Sequence, residues 1–168
     1  PSHTTMVTGA LPARHGITNN RPFEAGGESG LWFMVSDSIR VPAIWDAVAA
    51  RGDVSAGVSW PVSARSAIDY NVPEFWSVAG REGDLTGPAA QTFALRAEVR
   101  PAGLLEEIEA ESLGPFPDYY WGYNRSREDA VGDIAGHLIE HYRPNLLVRH
   151  LNQPAAPPHA EVPQVAEV

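Results

Sequence analysis

The sequence predicts a mixed α/β fold, a mostly parallel sheet covered by helices, on three observations. Residues 54–60 place Val54, Ala56, Val58 and Trp60 at a spacing of two, a strand signal. Residues 146–151 (LLVRHL) form a short apolar run of the kind buried strands carry. Between and around these runs lie stretches of helical periodicity, and helices alternating with strands are the pattern of a sheet packed between helices.

Each element follows from its local chemistry. Ser2–Val7 can open a helix with Ser2 as its N-cap, ended by Gly9 and Pro12. Residues 18–30, with two Asn and three Gly, read as loop. Residues 31–35 form an apolar run predicted to be a strand. Residues 42–51 read as a helix with Pro42 at its first position, Ile44, Trp45 and Val48 inward, and Gly52 just beyond its end. The strand at 54–60 is stopped by Pro61. Residues 62–88 read as mostly irregular, and helices are predicted near 88–96 and 103–111, the second with an acidic, solvated face.

Residues 114–124 (GPFPDYYWGYN) form an aromatic-rich loop expected to cap the core. The strongest periodicity lies at 126–142, with Ser126 as N-cap, Glu128 and Asp129 in the first turn, and one stripe of Val131, Ile134, Ala135, Leu138, Ile139 and Tyr142. Pro144 ends it before the last strand. Beyond Asn152 the chain is rich in Pro and Ala and reads as a loop leaving a strand's carboxyl end, where open α/β sheets place their sites.

Composition narrows the function. The chain has 168 residues, 43% of them hydrophobic and 20% charged, in keeping with one globular domain over residues 1–168. A formal net charge of −9 argues against a broad basic surface for a nucleic-acid duplex, yet leaves room for a small anionic substrate, because a bound cation can reverse the field inside a site. With no cysteine, disulfides, thiol chemistry and cysteine–zinc sites are excluded. No apolar run is long enough to span a bilayer. Oligomeric state is not legible.

Two motifs bear on chemistry. His137, Glu140 and His141 spell H-x-x-E-H, a zinc metalloprotease pattern in which two histidines one helical turn apart can share an ion. Against it, these residues lie in the helix that leads into the last strand and need no metal to be explained. Asn124-Arg125-Ser126 is a glycosylation sequon by pattern, meaningful only in a eukaryotic secreted protein.

The opening PSHTTMVTGALPARHGI carries more. Pro1, Ser2, His3, Thr8, Gly9, Pro12, His15, Gly16 and Ile17 fit the segment that follows the nucleophile in type I phosphodiesterases/nucleotide pyrophosphatases. VPAIWDAVAARG, VSWPVSA, IDYNVPEFW and YRPNLLVRHL follow in the family's order. The chain therefore resembles that family, in its bacterial branch, over nearly its whole length.

The resemblance implies an alkaline-phosphatase-like three-layer sandwich with a mostly parallel sheet, here partial. It also implies hydrolysis of phosphodiester or pyrophosphate bonds in nucleotides or similar esters. Two divalent ions, usually zinc, would activate a Thr or Ser hydroxyl and hold the phosphoryl oxygens. Its extracytoplasmic habit would place the protein outside the cytoplasm.

Residue by residue, the resemblance puts the nucleophile two positions before Pro1 and an early metal-binding Asp further upstream. Ser2 falls on a position that contacts the phosphoryl group, with a plain N-cap as the alternative. Trp60 and Pro61 fall at a strand end lining the approach, with core packing as the alternative for Trp60. His3 and His15 are expected to tie down turns.

After the last strand the family carries Asp-x-x-x-His and then Gly. Here His159 matches the histidine ligand, Ala155 the aspartate, and Val162 the glycine. Alanine cannot ligate a metal, so the expectation for the chain as given is weak metal binding and no turnover. A non-catalytic relative that binds a ligand or partner is the alternative.

Overall fold

The chain is seen in a computed structural model that describes residues 1–25, 27–28, 32–76, 87–121 and 125–151. Helix α1, Ser2–Thr8, ends at Gly9, whose φ of 61° lets its N–H reach the Thr5 carbonyl. Its N-cap is Pro1, so Ser2 is the first helical residue and not the cap expected of it; no side chain caps this end. Pro12 does not merely stop α1. Its fixed φ suits a first helical position, and a short α2, Pro12–His15, begins there.

The expected loop at 18–30 contains a small antiparallel pair, β1 (Phe23–Glu24) and β2 (Gly27–Glu28). The strand expected at 31–35 is not formed over its described residues. Val35 makes a single parallel bridge to Ala64, and a 3-10 turn at Ser36–Ser38 bends the chain away. Leu31 lies outside the described residues.

Helix α3, Ile44–Ala50, starts two residues later than predicted. The cause is Asp46, whose Oδ2 accepts the Ala43 N–H at 2.7 Å. That bond fixes Ala43 as the N-cap and leaves Pro42 outside the helix. Trp45 is buried at 2% exposure while Ile44, expected inward, is 45% exposed.

Strand β3, Ser55–Val58, is the centre of the sheet. All four residues are buried, so the strand is covered on both faces. Strand β4, Tyr70–Val72, lies in a stretch that reads as irregular; three residues are too few for a periodic signal.

Helix α4, Pro88–Glu98, and helix α5, Leu104–Ile108, lie where expected, α5 running on into a π-helical turn at Glu109–Leu113. The aromatic loop folds a 3-10 turn at Asp118–Trp121, and Phe116 and Tyr120 are buried against the core as a cap. Helix α6, Arg125–Tyr142, includes Ser126 within it, so Ser126 is not the N-cap. Val131, Ile134, Ala135 and Leu138 are buried as the stripe predicts, but Ile139 is 52% exposed. Strand β5 is Leu146–Arg149. Among the described residues it is one of the sheet's two edges, and it is only partly buried, against the expectation of a buried strand.

The sheet order is β4-β3-β5, all parallel. Ala56 pairs with Tyr70 and Val58 with Val72 on one side; Ser55 pairs with Leu146 and Val58 with Arg149 on the other. The two faces bury different clusters. Ala56, Val58, Val72 and Leu147 join the residues of α4, α5 and α6. Leu146 and Val148 join Val7, Ala43, Trp45, Trp60 and Ile68, from α1, α3 and the loops. The alternation of Leu146, Leu147 and Val148 between clusters is the period of two that puts successive side chains on opposite faces. Helices therefore cover both faces of a parallel sheet. Among the described residues no helix is long and apolar enough to cross a membrane.

Gly57 shows how tight the centre is. A Cβ added there would meet Asn71 Oδ1 at 2.6 Å and Ile68 Cδ1 at 3.1 Å. Asn71 cannot give way freely, because its Nδ2 donates to the Ser63 carbonyl at 2.8 Å. Gly57→Ala is therefore expected to destabilise by about 1–3 kcal/mol, the usual cost of overpacking. Gly132→Ala in α6, where an added Cβ meets nothing within 4 Å, is expected to be neutral or to stabilise by up to about 1 kcal/mol. Urea unfolding of the two variants beside the parent protein checks both.

Candidate functional site

The carboxyl ends of the three parallel strands set the geometry. Past Val58 the chain turns sharply, and Ser59 and Val62 take φ values of 53° and 58°. That region is costly for a β-branched residue, on the order of 1–3 kcal/mol, so something must hold it. The Ser59 N–H donates to the Val72 carbonyl at 2.7 Å. Ser63 Oγ donates to the Trp60 carbonyl at 2.7 Å, and the Asn71 amide holds Ser63 in turn. At β5, the His150 N–H donates to the Val58 carbonyl at 3.1 Å, extending the ladder by one residue.

The result is a cleft of about 220 Å³ between the start of α1 and the strand ends, with Pro1, His3, Ile17, Val62, Glu74 and His150 in its wall. The His3 ring lies 4.3 Å from that of His150 and 5.4 Å from that of Trp60, edge-on in both cases. His150 Nδ1 lies 3.8 Å from Glu74 Oε1. This nitrogen is buried and has no hydrogen-bond partner among the described residues. Burial, and then the neighbouring His150, hold the His3 imidazole below its ordinary value; Glu74 works in the opposite direction.

Two supports stand behind the cleft. Arg127, near the start of α6 and buried, donates from Nη2 to Ser59 Oγ at 2.7 Å and lies over the Tyr120 ring at 5.1 Å. His15, fully buried, joins α2 to α1. Its Nδ1 accepts the Ile17 N–H at 3.1 Å, so Nε2 carries the proton and donates to Thr5 Oγ1 at 3.0 Å. That is the turn-fixing role read for His15. His3 faces the cleft.

Of the other residues singled out in the sequence, Ser2 is exposed at the first turn of α1, beside the cleft residues Pro1 and His3. Trp60 is 9% exposed and belongs to the cluster under α1 and α3, while Pro61 and Val62 line the cleft. Ala155 and His159 lie outside the described residues. His137 and His141 do share a face of α6, their rings stacked 4.1 Å apart. The carboxylates gathered with them are Glu107 and Glu111, and Glu140 is not among them.

His150, Glu74 and Arg127 were not singled out from the sequence. Neither of the first two had a signal in the sequence: His150 falls inside the run 146–151 read as strand, and Glu74 follows β4, which is too short for a periodic one. Arg127 gave none either, because a charge in the first turn of a helix reads as solvated.

A two-metal phosphoryl site would need several Asp and His ligands around the phosphoryl group. Among the described residues the cleft offers His3, His150 and Glu74. Three side chains, one of them a carboxylate 3.8 Å from an imidazole, do not make up two coordination spheres.

Comparison with known proteins adds one finding. The family model for type I phosphodiesterase / nucleotide pyrophosphatase matches residues 1–167. No curated protein matches the chain.

The buried imidazole of His15 makes a pH prediction. Burial lowers its folded-state value, so the unfolded chain takes up the proton first. The associated stability is full above the unfolded value of about 6.5 and is lost as pH falls below it. The lowered carboxyls of Glu107 and Glu109 act only below this window, from 4.5 downward. Thermal melts at pH 7.5 and 5.5 should show a falling Tm for the parent protein. His15→Gln should melt lower at pH 7.5 yet lose less between the two pH values.

Proposed function

The chain belongs to the type I phosphodiesterase/nucleotide pyrophosphatase family, and from that membership we propose that it supplies the substrate cleft of a hydrolase of phosphodiester or pyrophosphate bonds. The family assigns the reaction type, and the fold, a parallel sheet between helices, fits part of an alkaline-phosphatase-like α/β domain. The observation that carries the reading within the molecule is the meeting of the α1 start with the carboxyl ends of β3, β4 and β5 at one cleft. Nucleotides or similar small phosphoesters are the substrate class.

The chemistry assigned to this chain is binding and orientation. His3 and His150 put two imidazoles, the natural proton carriers near neutral pH, side by side in the cleft wall. The Glu74 carboxylate lies 3.8 Å from His150 and works against the lowering of His3 by burial. Arg127 holds Ser59, and through it the turn that carries Val62 into the cleft. Ser2 is proposed as a phosphoryl contact at the cleft edge, and Trp60 as the backing for His3.

The family is metal-dependent. In the complete enzyme we assign two divalent ions, zinc by preference, and a Thr or Ser nucleophile upstream of Pro1. The ions would supply charge neutralisation and an activated hydroxyl. His159 is the ligand proposed from this chain, and Ala155 stands where its carboxylate companion belongs. That alanine favours a second reading, a non-catalytic relative that keeps the cleft for binding.

A comparison of three proteins in added zinc tests the proposal on bis-p-nitrophenyl phosphate. The 168-residue chain should give background rates only. The chain extended upstream through the nucleophile should turn over slowly, and Ala155→Asp in that extended chain should raise its rate tenfold or more, since a missing charged ligand weakens both ion occupancy and hydroxyl activation. Robust turnover by the chain as given would place the catalytic residues elsewhere. Equal rates with and without the Ala155→Asp change would show that position 155 is not a ligand position.

A further inference from the structure

At the opposite end of the sheet from the cleft, two pairs of metal-binding side chains face each other. His137 and His141 stand one turn apart on α6, and Glu107 and Glu111 stand four residues apart across the junction of α5 and the π-helical turn. Side chains at that spacing share a helix face. One ligand atom from each of the four lies within 4.8 Å of all the others. His137 Nε2 is 2.9 Å from Glu107 Oε1, and His141 Nδ1 is 3.6 Å from Glu111 Oε2. Tetrahedral zinc with bonds of about 2.0 Å sets its ligand atoms roughly 3.3 Å apart, between those two distances.

From this geometry we propose that His137, His141, Glu107 and Glu111 form a structural divalent-cation site of zinc type, joining α6 to α5 and separate from the phosphoester cleft. Two imidazoles with two carboxylates suit zinc and its borderline neighbours; magnesium and calcium prefer oxygen alone.

The surroundings already have what a ligand shell requires. His137 is fully buried, and its Nδ1 lies 2.7 Å from Ser112 Oγ. Without an ion, Nε2–H donates to Glu107 and the serine hydroxyl donates to Nδ1. An ion at Nε2 requires the other neutral tautomer: the ring's single proton moves by exchange with solvent from Nε2 to Nδ1, and Nδ1–H then donates to the same hydroxyl, which can accept as well as donate. Tyr142 Oη donates to Glu107 Oε1 at 2.6 Å and orients that carboxylate. His141 and Glu111 are partly exposed, giving an ion a way in.

The site lies at the amino end of the sheet. Tyr142 stacks at 3.7 Å on Tyr70, the first residue of β4, and the Asn145 N–H donates to the Val54 carbonyl just before β3. Arg127, at the other end of α6, reaches Ser59 beyond the end of β3. The length of α6 thus separates the proposed ion from the cleft.

Calorimetric titration of the metal-free 168-residue chain with zinc tests this, with cobalt as a spectroscopic probe of tetrahedral geometry. One ion per chain should bind, cobalt should give an intense visible band, and zinc should raise Tm by several degrees. His141→Ala and Glu111→Gln remove exposed ligands with little risk to folding, and each should weaken binding at least tenfold and abolish the Tm rise. Glu140→Gln and His159→Ala should leave both readouts unchanged. No binding, or binding that survives both His141→Ala and Glu111→Gln, overturns the proposal. Loss in His159→Ala alone would assign the ion to the ligand set the family resemblance implies and overturn it equally.

Discussion

The pairing of β3 with β5 is the constraint on which the rest depends. Strand β3 is buried on both faces and has no freedom of register, because a slip of one residue would carry Ala56 and Val58 to the wrong cluster. With Val58 held opposite Arg149, the first residue past β5 is His150, and its N–H closes on the Val58 carbonyl. The same end of β3 turns through Ser59 and Val62 toward His3. Strand register therefore sets His150 at the cleft, where it meets the His3 ring that α1 supplies against Trp60.

Asn71 transmits that register to the loop. It is a strand residue with a buried polar side chain, which would be a liability without partners. Its amide goes to the Ser63 carbonyl, and its own backbone exchanges hydrogen bonds with Arg100. Gly57 leaves the space this amide occupies. The positive φ at Val62 is tolerated because the residues on either side are fixed from β4. Helix α6 then spans the sheet, with a buried arginine at the cleft end and two histidines among carboxylates at the other.

Much of the fold was legible because its signals are long. Eighteen residues of α6 repeat an apolar stripe, and the runs at 54–60 and 146–151 lie where the two paired strands form. The misses are short or decided by contacts. Strand β4 has three residues, and its partner, not its pattern, makes it a strand. Residues 32–35 have strand composition, but only Val35 finds a rung, on Ala64. Asp46 moved the start of α3 with one side-chain bond that composition could not rank against the proline before it. At the site, the wording of residues 1–17 led to the family and the cleft. His150 and Glu74 became visible only when the strand ends were brought together. Ala155 and His159 lie outside the described residues, and their roles rest on the family resemblance.

On the proposed function, the carboxyl-end cleft receives the phosphoester. Titration of the isotopically labelled chain with a nucleoside 5′-monophosphate, followed by NMR of the imidazole rings and backbone amides, tests it most directly. Saturable shifts are expected at the rings of His3 and His150 and at the amides of Ile17, Asn19 and Val62, with the rings of His137 and His141 unmoved. Saturable shifts confined to residues away from this cleft, or none at all, would contradict it.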